Sequence, residues 1–314
     1  RIRGTSFQID AYLPDGSPVL FVRVRIINPH EQTTPMYWWS NIAVPETAET
    51  RVLNPAESAY RVNYRALEII PVPEVGGVDY TYATSVPHSA DFFFHVPDGR
   101  RHWITALDGR GQGLVQVSTS RLIGRKLFVW GMGGGRRWQK FLSPTGKPYI
   151  EIQAGLARTQ LEHLPMPPGD WSWLEAYGML EADPAAVHGQ DWTRAQQSVE
   201  SSLECLVGKE DLKAEFVRSA TLVDLPPEKI LQRGSGWGAL ERRRRVMDGE
   251  NAFDQPGLIF DDESLDKEQG PWLRLLHDGD FPQRSPQEPP SGFMIQSEWR
   301  LKLEKALQQT GGDS

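Results

Sequence analysis

The chain has 314 residues, of which 39% are hydrophobic and 24% charged, as expected for a globular protein with one large or two ordinary domains. Its formal net charge of −7 argues against a nucleic-acid partner, because proteins that bind phosphate backbones usually concentrate basic charge. A lone cysteine, Cys205, excludes an internal disulfide and a cysteine-based metal cluster. No run approaches about 18 consecutive apolar residues and no signal-like start is present, so we expect a soluble, cytoplasmic protein without membrane spans.

Strand signals dominate residues 1–182. The turn PDGS at 14–17 separates FQIDAYL from VLFVRVRII, which predicts a hairpin. Further strands are predicted at MYWWSNIAV, RVLNP, ADFFFHV, HWITALD, GLVQVSTS, KLFVWGM, YIEIQAG and DWSWLEAYG. Short strands without intervening helices favour a β-sandwich or barrel.

Helical periodicity takes over in residues 183–314, so we place a boundary near residue 182. In DWTRAQQSVESSLECLVG, apolar residues from Trp192 to Leu206 recur at helical spacing, and Gly208 is predicted to end this amphipathic helix. Further helices are predicted at KEDLKAEFVRSA, ALERRRRVMDG, GPWLRLLHDG and FMIQSEWRLKLEKALQQ. The arginine run at 241–246 has acidic neighbours and is predicted to be a solvated or salt-bridged helix face.

The predicted strand within KPYIEIQAG, residues 147–155, carries polar residues on one side. Glu151 and Gln153 point to one face, and Ile150 and Ile152 to the other. This pattern fits the exposed face of an edge strand, and it also fits a sugar-binding or proton-transferring cleft. Trp130 and Trp138 precede this strand and could form the walls of such a cleft, where a partly desolvated carboxylate suits acid–base work.

A second aromatic segment, TTPMYWWSNIAVPE at 33–46, offers further candidates. Trp38 and Trp39 face opposite ways in a strand, so one can fill the core while the other stacks on a ligand. Asn41 can donate and accept hydrogen bonds, as sugar hydroxyls require. An aromatic core edge explains the segment equally well.

The loop GMGGGRRW resembles a phosphate cradle in composition only. No Lys-Ser/Thr pair follows it and no helix is predicted to start there, so a nucleotide site is not expected. The histidines show no close metal-ligand spacing, and we predict neither a metal nor a cofactor.

Four segments together carry a family resemblance: NPHEQTTPMYWWSNIAVPE, DFFFH, GRKLFVWGMGGGRRWQKFL and PYIEIQAGLARTQLEHLPMPPGDWSWLEAYG. They resemble the bacterial domain-of-unknown-function 5107 family, which has a galactose-mutarotase-like β-supersandwich, often followed by helices and tetratricopeptide repeats. The resemblance implies a mainly β fold with a C-terminal α part. It also implies that residues 1–182 are the C-terminal part of the supersandwich and that 183–314 lead toward repeats, with other portions of a longer polypeptide as partners.

A more distant similarity links the chain to aldose 1-epimerases. IEIQ resembles their Glu-x-Gln motif, with Glu151 in the position of the base. TPMYWWSN resembles the strand that carries their acid histidine, but Pro35 and Met36 stand in that region. Mutarotation needs both an acid and a base, so mutarotase activity is not expected.

We therefore predict a carbohydrate-active, glycoside-processing protein in which Glu151 is the general base or catalytic carboxylate. The predicted carbohydrate-binding residues are Gln153, Asn41, Trp38, Trp39, Trp130 and Trp138. A second carboxylate is not identified by pattern, and Glu46, Asp91 and Glu175 are candidates by residue type alone. The alternatives are a non-catalytic glycan-binding scaffold and an interaction protein associated with helical repeats.

Overall fold

The computed structural model of the protein describes residues 4–62, 66–143, 145–253, 257–283, 285, 287–288, 292 and 294–309. The chain divides into two compact units. The larger spans Thr5–Ala220, and the smaller contains Gly4 and the described residues from Thr221 onward.

Sixteen strands are found among the described residues of the larger unit. They are β1 (Ser6–Tyr12), β2 (Val19–Asn28), β3 (Thr34–Met36), β4 (Trp39–Pro45), β5 (Arg51–Leu53), β6 (Ser58–Val62), β7 (Leu67–Pro71), β8 (Glu74–Val75), β9 (Val78–Asp79), β10 (Ala90–Phe94), β11 (His102–Leu107), β12 (Gln112–Ser118), β13 (Gly124–Val129), β14 (Tyr149–Gly155), β15 (Leu164–Met166) and β16 (Gly169–Glu181). Its helices are α1 (Gly135–Leu142), α2 (Pro184–Val187), α3 (Trp192–Leu206) and α4 (Lys209–Ser219), with a short 3-10 helix at Ala83–Ser85.

Two six-stranded antiparallel sheets organise this unit. Sheet 1 has the order β1-β2-β16-β12-β11-β5, and sheet 2 the order β4-β14-β13-β10-β6-β7. Apolar side chains of both sheets, such as Ile104 and Ile152, share one hydrophobic core. The predicted sandwich is therefore confirmed, and it follows from the alternation of apolar and polar residues along each strand.

The helices that follow the last strand belong to this sandwich. The apolar face of α3, with Ala195, Val199 and Leu203, joins the same core as the sheets, and Leu212 of α4 does so too. Strands do give way to helices after residue 182, but the compact unit ends at Ala220. The predicted boundary at 182 therefore differs from the boundary of this unit, because α3 must bury its apolar face and does so against the sandwich.

Helix α1 corrects the prediction that no helix starts at the glycine-rich loop. It begins at Gly135, without a side-chain cap at its start. Tertiary contacts hold it: Arg136 makes an ion pair with the buried Glu46, and Gln139 Nε2 donates to the Tyr149 carbonyl at 2.8 Å. Both contacts reach residues outside the helix, so local propensity does not reveal it.

The smaller unit contains α5 (Trp237–Met247), α6 (Gly270–Asp278) and α7 (Ser297–Gln309), with a short 3-10 helix at Asp262–Ser264. Its core is centred on Trp272 and Trp299, whose rings meet edge to face at 5.6 Å. The arginine run is salt-bridged, as predicted: Arg244 pairs with three carboxylates, and Arg242 and Arg243 pair with Asp262. No helix in the described part of the chain is long and apolar enough to cross a membrane.

His102, at the start of β11, makes the stability of the larger unit sensitive to acid. Burial and the positive charge of Arg125 lower the pKa of His102 from 6.5 to about 4. The unfolded chain therefore takes up this proton first as pH falls, and stability is lost between about pH 6.5 and pH 4. We expect a loss of about 1–2 kcal/mol in the free energy of unfolding between pH 7 and pH 5.

Chemical denaturation at the two pH values measures this loss. It should shrink in His102→Gln and persist in the control His163→Gln, which replaces an exposed histidine. The same loss in wild type and His102→Gln would contradict the assignment.

Candidate functional site

The outer face of sheet 2 carries a polar cluster at the middle of β14. Ile150 and Ile152 are fully buried in the core. Tyr149, Glu151 and Gln153 alternate with them and so point to the opposite face of the sheet.

Strand register sets two rows of side chains across this face. In the first row, Glu151 lies between Ala43 of β4 and Phe128 of β13, and Phe128 in turn lies opposite Asp91 of β10. The second row runs from Asn41 through Gln153 and Lys126 to Phe93. Directly paired residues share a face, so both rows project to the same side. We call the surface formed by Asn41, Asp91, Lys126, Phe128, Glu151 and Gln153 the Glu151 face.

Two amides hold the Glu151 carboxylate. Asn41 Nδ2 donates to Glu151 Oε2 at 2.7 Å, and Gln153 Nε2 donates to the same oxygen at 2.9 Å. No donor in the described part of the chain reaches Oε1. The carboxylate is thus oriented through one oxygen and can accept from a ligand through the other.

A buried lysine connects the cluster to a second carboxylate. Lys126 Nζ lies 2.6 Å from Asp91 Oδ1 and donates to Gln160 Oε1 at 2.6 Å. Gln160 Nε2 donates in turn to Gln153 Oε1 at 2.9 Å. The network therefore runs unbroken from Asn41 and Glu151 to Asp91, which fixes the positions of both carboxylates.

Aromatic rings flank this network on both sides. Trp39 lies across Gly155, where an added Cβ would fall 2.3 Å from ring atoms, and it meets Phe93 edge to face at 5.9 Å. On the other side, Trp130 packs edge to face against Phe128 at 4.9 Å and Tyr149 at 5.8 Å.

Tyr149 contributes a hydroxyl donor to this side. Burial, and then the negative charge of Glu151, raise the pKa of Tyr149, so its hydroxyl keeps its proton at neutral pH.

Two of the predicted aromatic residues lie elsewhere. Trp38 points into the sandwich, where its ring meets Trp173 at 5.4 Å and its Nε1 donates to Ser40 Oγ at 3.1 Å. Trp138 is 63% exposed on α1, and its ring contact within the described residues is with Phe141. Asn41, Trp39, Trp130, Glu151 and Gln153 are the predicted residues that the structure brings to one face.

The three candidate second carboxylates have different surroundings. Glu46 is buried in its ion pair with Arg136. Glu175 is fully buried and accepts hydrogen bonds from four side chains: Ser40, Gln116, Trp173 and Tyr177.

Asp91, in contrast, shares the outer face with Glu151, two strands away. Neighbouring strands lie about 4.8 Å apart, which puts the two Cα atoms at roughly 10 Å.

Sequence reasoning missed Lys126, Phe128 and Gln160 as site residues. Lys126 and Phe128 lie in the run KLFV, which predicts a strand but not which residues face Glu151. One signal was present: Lys126 directly precedes the apolar run LFVW, and a lysine in a core strand is rarely buried without a partner.

A family profile described as Domain of unknown function (DUF5107) matches residues 2–167. The chain belongs to the DUF5107 family. The Glu151 face lies within the matched residues, and so do both sheets except β16. Family membership and the two packed sheets confirm the mainly β fold with C-terminal helices that the resemblance implied. No match was found among curated proteins.

Three solved structures similar to this DUF5107 chain are distant from it in sequence. A TPR-domain containing protein from Parabacteroides distasonis has 17% identity and a TM-score of 0.54, and the match covers 97% of this chain and 47% of that one. The chain thus spans about half the length of that structure, and the similarity shows a shared fold.

Two further structures are similar over part of the chain. An Escherichia coli K12 protein provisionally named an aldose 1-epimerase has 11% identity and a TM-score of 0.43, and the match covers 57% of this chain and 61% of that one. A galactose mutarotase related enzyme from Lactobacillus acidophilus has 9% identity and a TM-score of 0.39, and the match covers 56% of this chain and 61% of that one.

Proposed function

We propose that the Glu151 face binds a carbohydrate and that Glu151 is the catalytic carboxylate, acting as a base, in the processing of a glycosidic bond. The observation that supports this most strongly is the first row of the face. Asp91 and Glu151 lie in register on either side of Phe128, so two carboxylates flank one aromatic side chain.

This arrangement suits a sugar ring. Pyranose rings present apolar C–H faces to aromatic side chains and hydroxyl edges to polar groups. Phe128 is half-buried and offers an aromatic surface at the centre of the row. Glu151 Oε1 can accept a hydrogen bond, the Tyr149 hydroxyl can donate one, and the Asn41 side chain can do both. Sugar hydroxyl groups require both kinds of partner.

The two carboxylates have different roles in this proposal. Glu151 is held by amides and has an oxygen available, so it removes a proton from water or a sugar hydroxyl. The Cα atoms lie roughly 10 Å apart, and side chains on one face can lean toward each other, so the two carboxyl groups can reach the roughly 5–10 Å separation found in glycosidases. Asp91, on the opposite side of the bound ring, then donates a proton to the departing glycosidic oxygen as the bond to the anomeric carbon breaks.

One observation favours a second candidate, a glycan-binding scaffold without catalysis. Asp91 is the ion-pair partner of Lys126, whereas the general acid of a glycosidase must carry a proton. Asp91 paired in this way would bind hydroxyls without protonating a leaving group.

Calorimetric titration with a panel of neutral oligosaccharides, followed by product analysis, tests both candidates. We expect saturable binding that weakens at least tenfold in Phe128→Ala. The control Phe7→Ala removes a phenylalanine that is 61% exposed on sheet 1, and it should leave binding unchanged.

Released product supports glycoside processing, and binding without product supports the scaffold. Equal binding by wild type and Phe128→Ala would contradict the site itself.

A further inference from the structure

A second cleft, of about 1010 Å³, lies in the larger unit against sheet 1 and helix α4. No residue of the Glu151 face lines it. Its charged lining consists of one carboxylate, Asp170, and six cationic side chains: Arg23, Arg100, Arg101, Arg121, Lys209 and Lys213. His102 also lines this cleft, and its lowered pKa leaves it neutral at pH 7.

Half of these cations are neutralised by carboxylates outside the lining. Arg100 pairs with Glu200 at 2.9 Å, Arg101 with Glu204 at 3.1 Å, and Lys213 with Glu210 at 2.7 Å. Arg23, Arg121 and Lys209 make no salt bridge within the described ranges of the unit. The negative charge of Asp170 offsets one of these three positive charges, so the cleft keeps two uncompensated positive charges.

Arg23 is the most buried of these three, with 5% of its surface exposed. Its Nη1 donates to the Phe216 carbonyl and to Ser219 Oγ at 3.1 Å, and its guanidinium lies 4.4 Å from the centroid of the Phe216 ring. Its Nε is buried and has no acceptor in the described part of the chain. A buried guanidinium with an unpaired donor is poorly stabilised, and the negative charge of an anion in the cleft would stabilise it electrostatically.

The same condition recurs at Arg101, whose buried Nε also lacks an acceptor among the described residues. Burial lowers the pKa of both Arg23 and Arg101, which means that their charges are poorly solvated. Two poorly solvated guanidinium groups beside one cleft favour an anion in that cleft.

Exposed groups complete the lining. The Arg121 guanidinium lies over the Trp171 ring, 5.1 Å from its centroid, which orients the guanidinium while its donors stay available. Thr119 and Ser120, beside it, add hydroxyl groups to the cleft. The paired N–H groups of arginine guanidinium groups, together with hydroxyl groups, commonly bind phosphate oxygens.

We propose that this cleft binds a small molecule that carries a phosphate monoester, with Arg23, Arg121 and Lys209 as the groups that recognise the phosphate. A phosphate monoester carries about −1.5 to −2 charges at pH 7, which matches the two uncompensated positive charges. The volume exceeds that of one phosphate and lies near the upper end for small-molecule pockets, so it also accommodates an organic portion. The proposal is independent of the function assigned to the Glu151 face.

Isothermal titration with glucose 6-phosphate, glucose 6-sulfate and glucose tests this assignment on the full chain. We expect saturable binding of the phosphate ester and weaker binding of the singly charged sulfate ester, and any binding of glucose should be unchanged by substitutions in this cleft. Arg121→Gln and Lys209→Gln replace exposed residues, so folding should persist, and each should weaken binding of the phosphate ester at least tenfold.

Arg110→Gln is the matched control, because Arg110 is 79% exposed, lies in the turn between β11 and β12, and does not line the cleft. It should bind like wild type. Absence of binding by the phosphate ester, a preference for the sulfate ester, or equal weakening by Arg110→Gln and Arg121→Gln would each overturn the proposal.

Discussion

Replacing Glu151 with glutamine is expected to lower turnover of a glycan substrate by about 100- to 10,000-fold, the range that positioned acid–base groups contribute. Glutamine keeps the shape of the side chain and can still accept from Asn41 or Gln153 through its carbonyl oxygen. It cannot take up a proton at neutral pH. Because Glu151 lies on the outer face of sheet 2, the unfolding temperature should stay close to that of wild type.

The matched control is Glu181→Gln, which replaces an exposed carboxylate at the end of β16 in the other sheet. It should retain full turnover. Initial rates on any substrate found in the glycan panel measure both variants. Turnover by Glu151→Gln equal to that of wild type would remove Glu151 from the chemistry, even if carbohydrate still binds.

Glu175→Gln is expected to lower the free energy of unfolding by about 3–5 kcal/mol, the usual cost of breaking a buried charge arrangement. Glu175 is fully buried, and its two oxygens accept from four side chains, with Trp173 Nε1 and Gln116 Nε2 each at 3.0 Å. A glutamine offers one acceptor oxygen and turns an amide toward the remaining donors.

The same substitution leaves a buried arginine without its compensating charge. Arg125 is fully buried, and burial lowers its pKa to about 10 while the charge of Glu175 works in the opposite direction. Its Nη atoms donate to three backbone carbonyls and to Ser118 Oγ, which provide no negative charge. The loss of stability therefore has two sources, unsatisfied donors and an uncompensated guanidinium.

A double-mutant cycle separates these sources. The double variant Glu175→Gln/Arg125→Met should lose less free energy of unfolding than the two single variants lose in sum, because both buried charges are removed together. Chemical denaturation of the three variants gives the coupling energy. Strict additivity would show that Glu175 and Arg125 do not interact.

Alternation along strands explains how much of the site could be predicted. The spacing of Glu151 and Gln153 places them on one face of any strand, and the structure shows them together. That Asn41 joins them depends on the pairing of β4 with β14, which sets Asn41 opposite Gln153. Register of this kind arises from the whole sandwich and is not encoded within either segment.

Trp38 and Trp39 show the same limit. Alternation predicts that they face opposite ways but not which of them enters the core. Gly155 and Gly124 determine that Trp39 lies on the outer face, because the absence of their side chains leaves room there for the Trp39 ring. Trp38 is consequently left to pack against Trp173.

Helix α1 and the extent of the larger unit lay beyond sequence reasoning for a related reason. The glycines at the start of α1, from Gly133 to Gly135, disfavour a helix locally, and the ion pair of Arg136 with Glu46, 90 residues apart, holds it in place. The amphipathic pattern of α3 predicts a helix correctly, but it does not identify the surface that covers its apolar face. Long-range contacts decide both features.

The most direct test of the Glu151 face is a crystal structure of Glu151→Gln bound to an oligosaccharide selected by titration. We expect a sugar ring against Phe128, with hydroxyls in hydrogen-bonding distance of residue 151 on one side and of Asp91 on the other. A sugar bound at any other surface, with the Glu151 face empty, would contradict it.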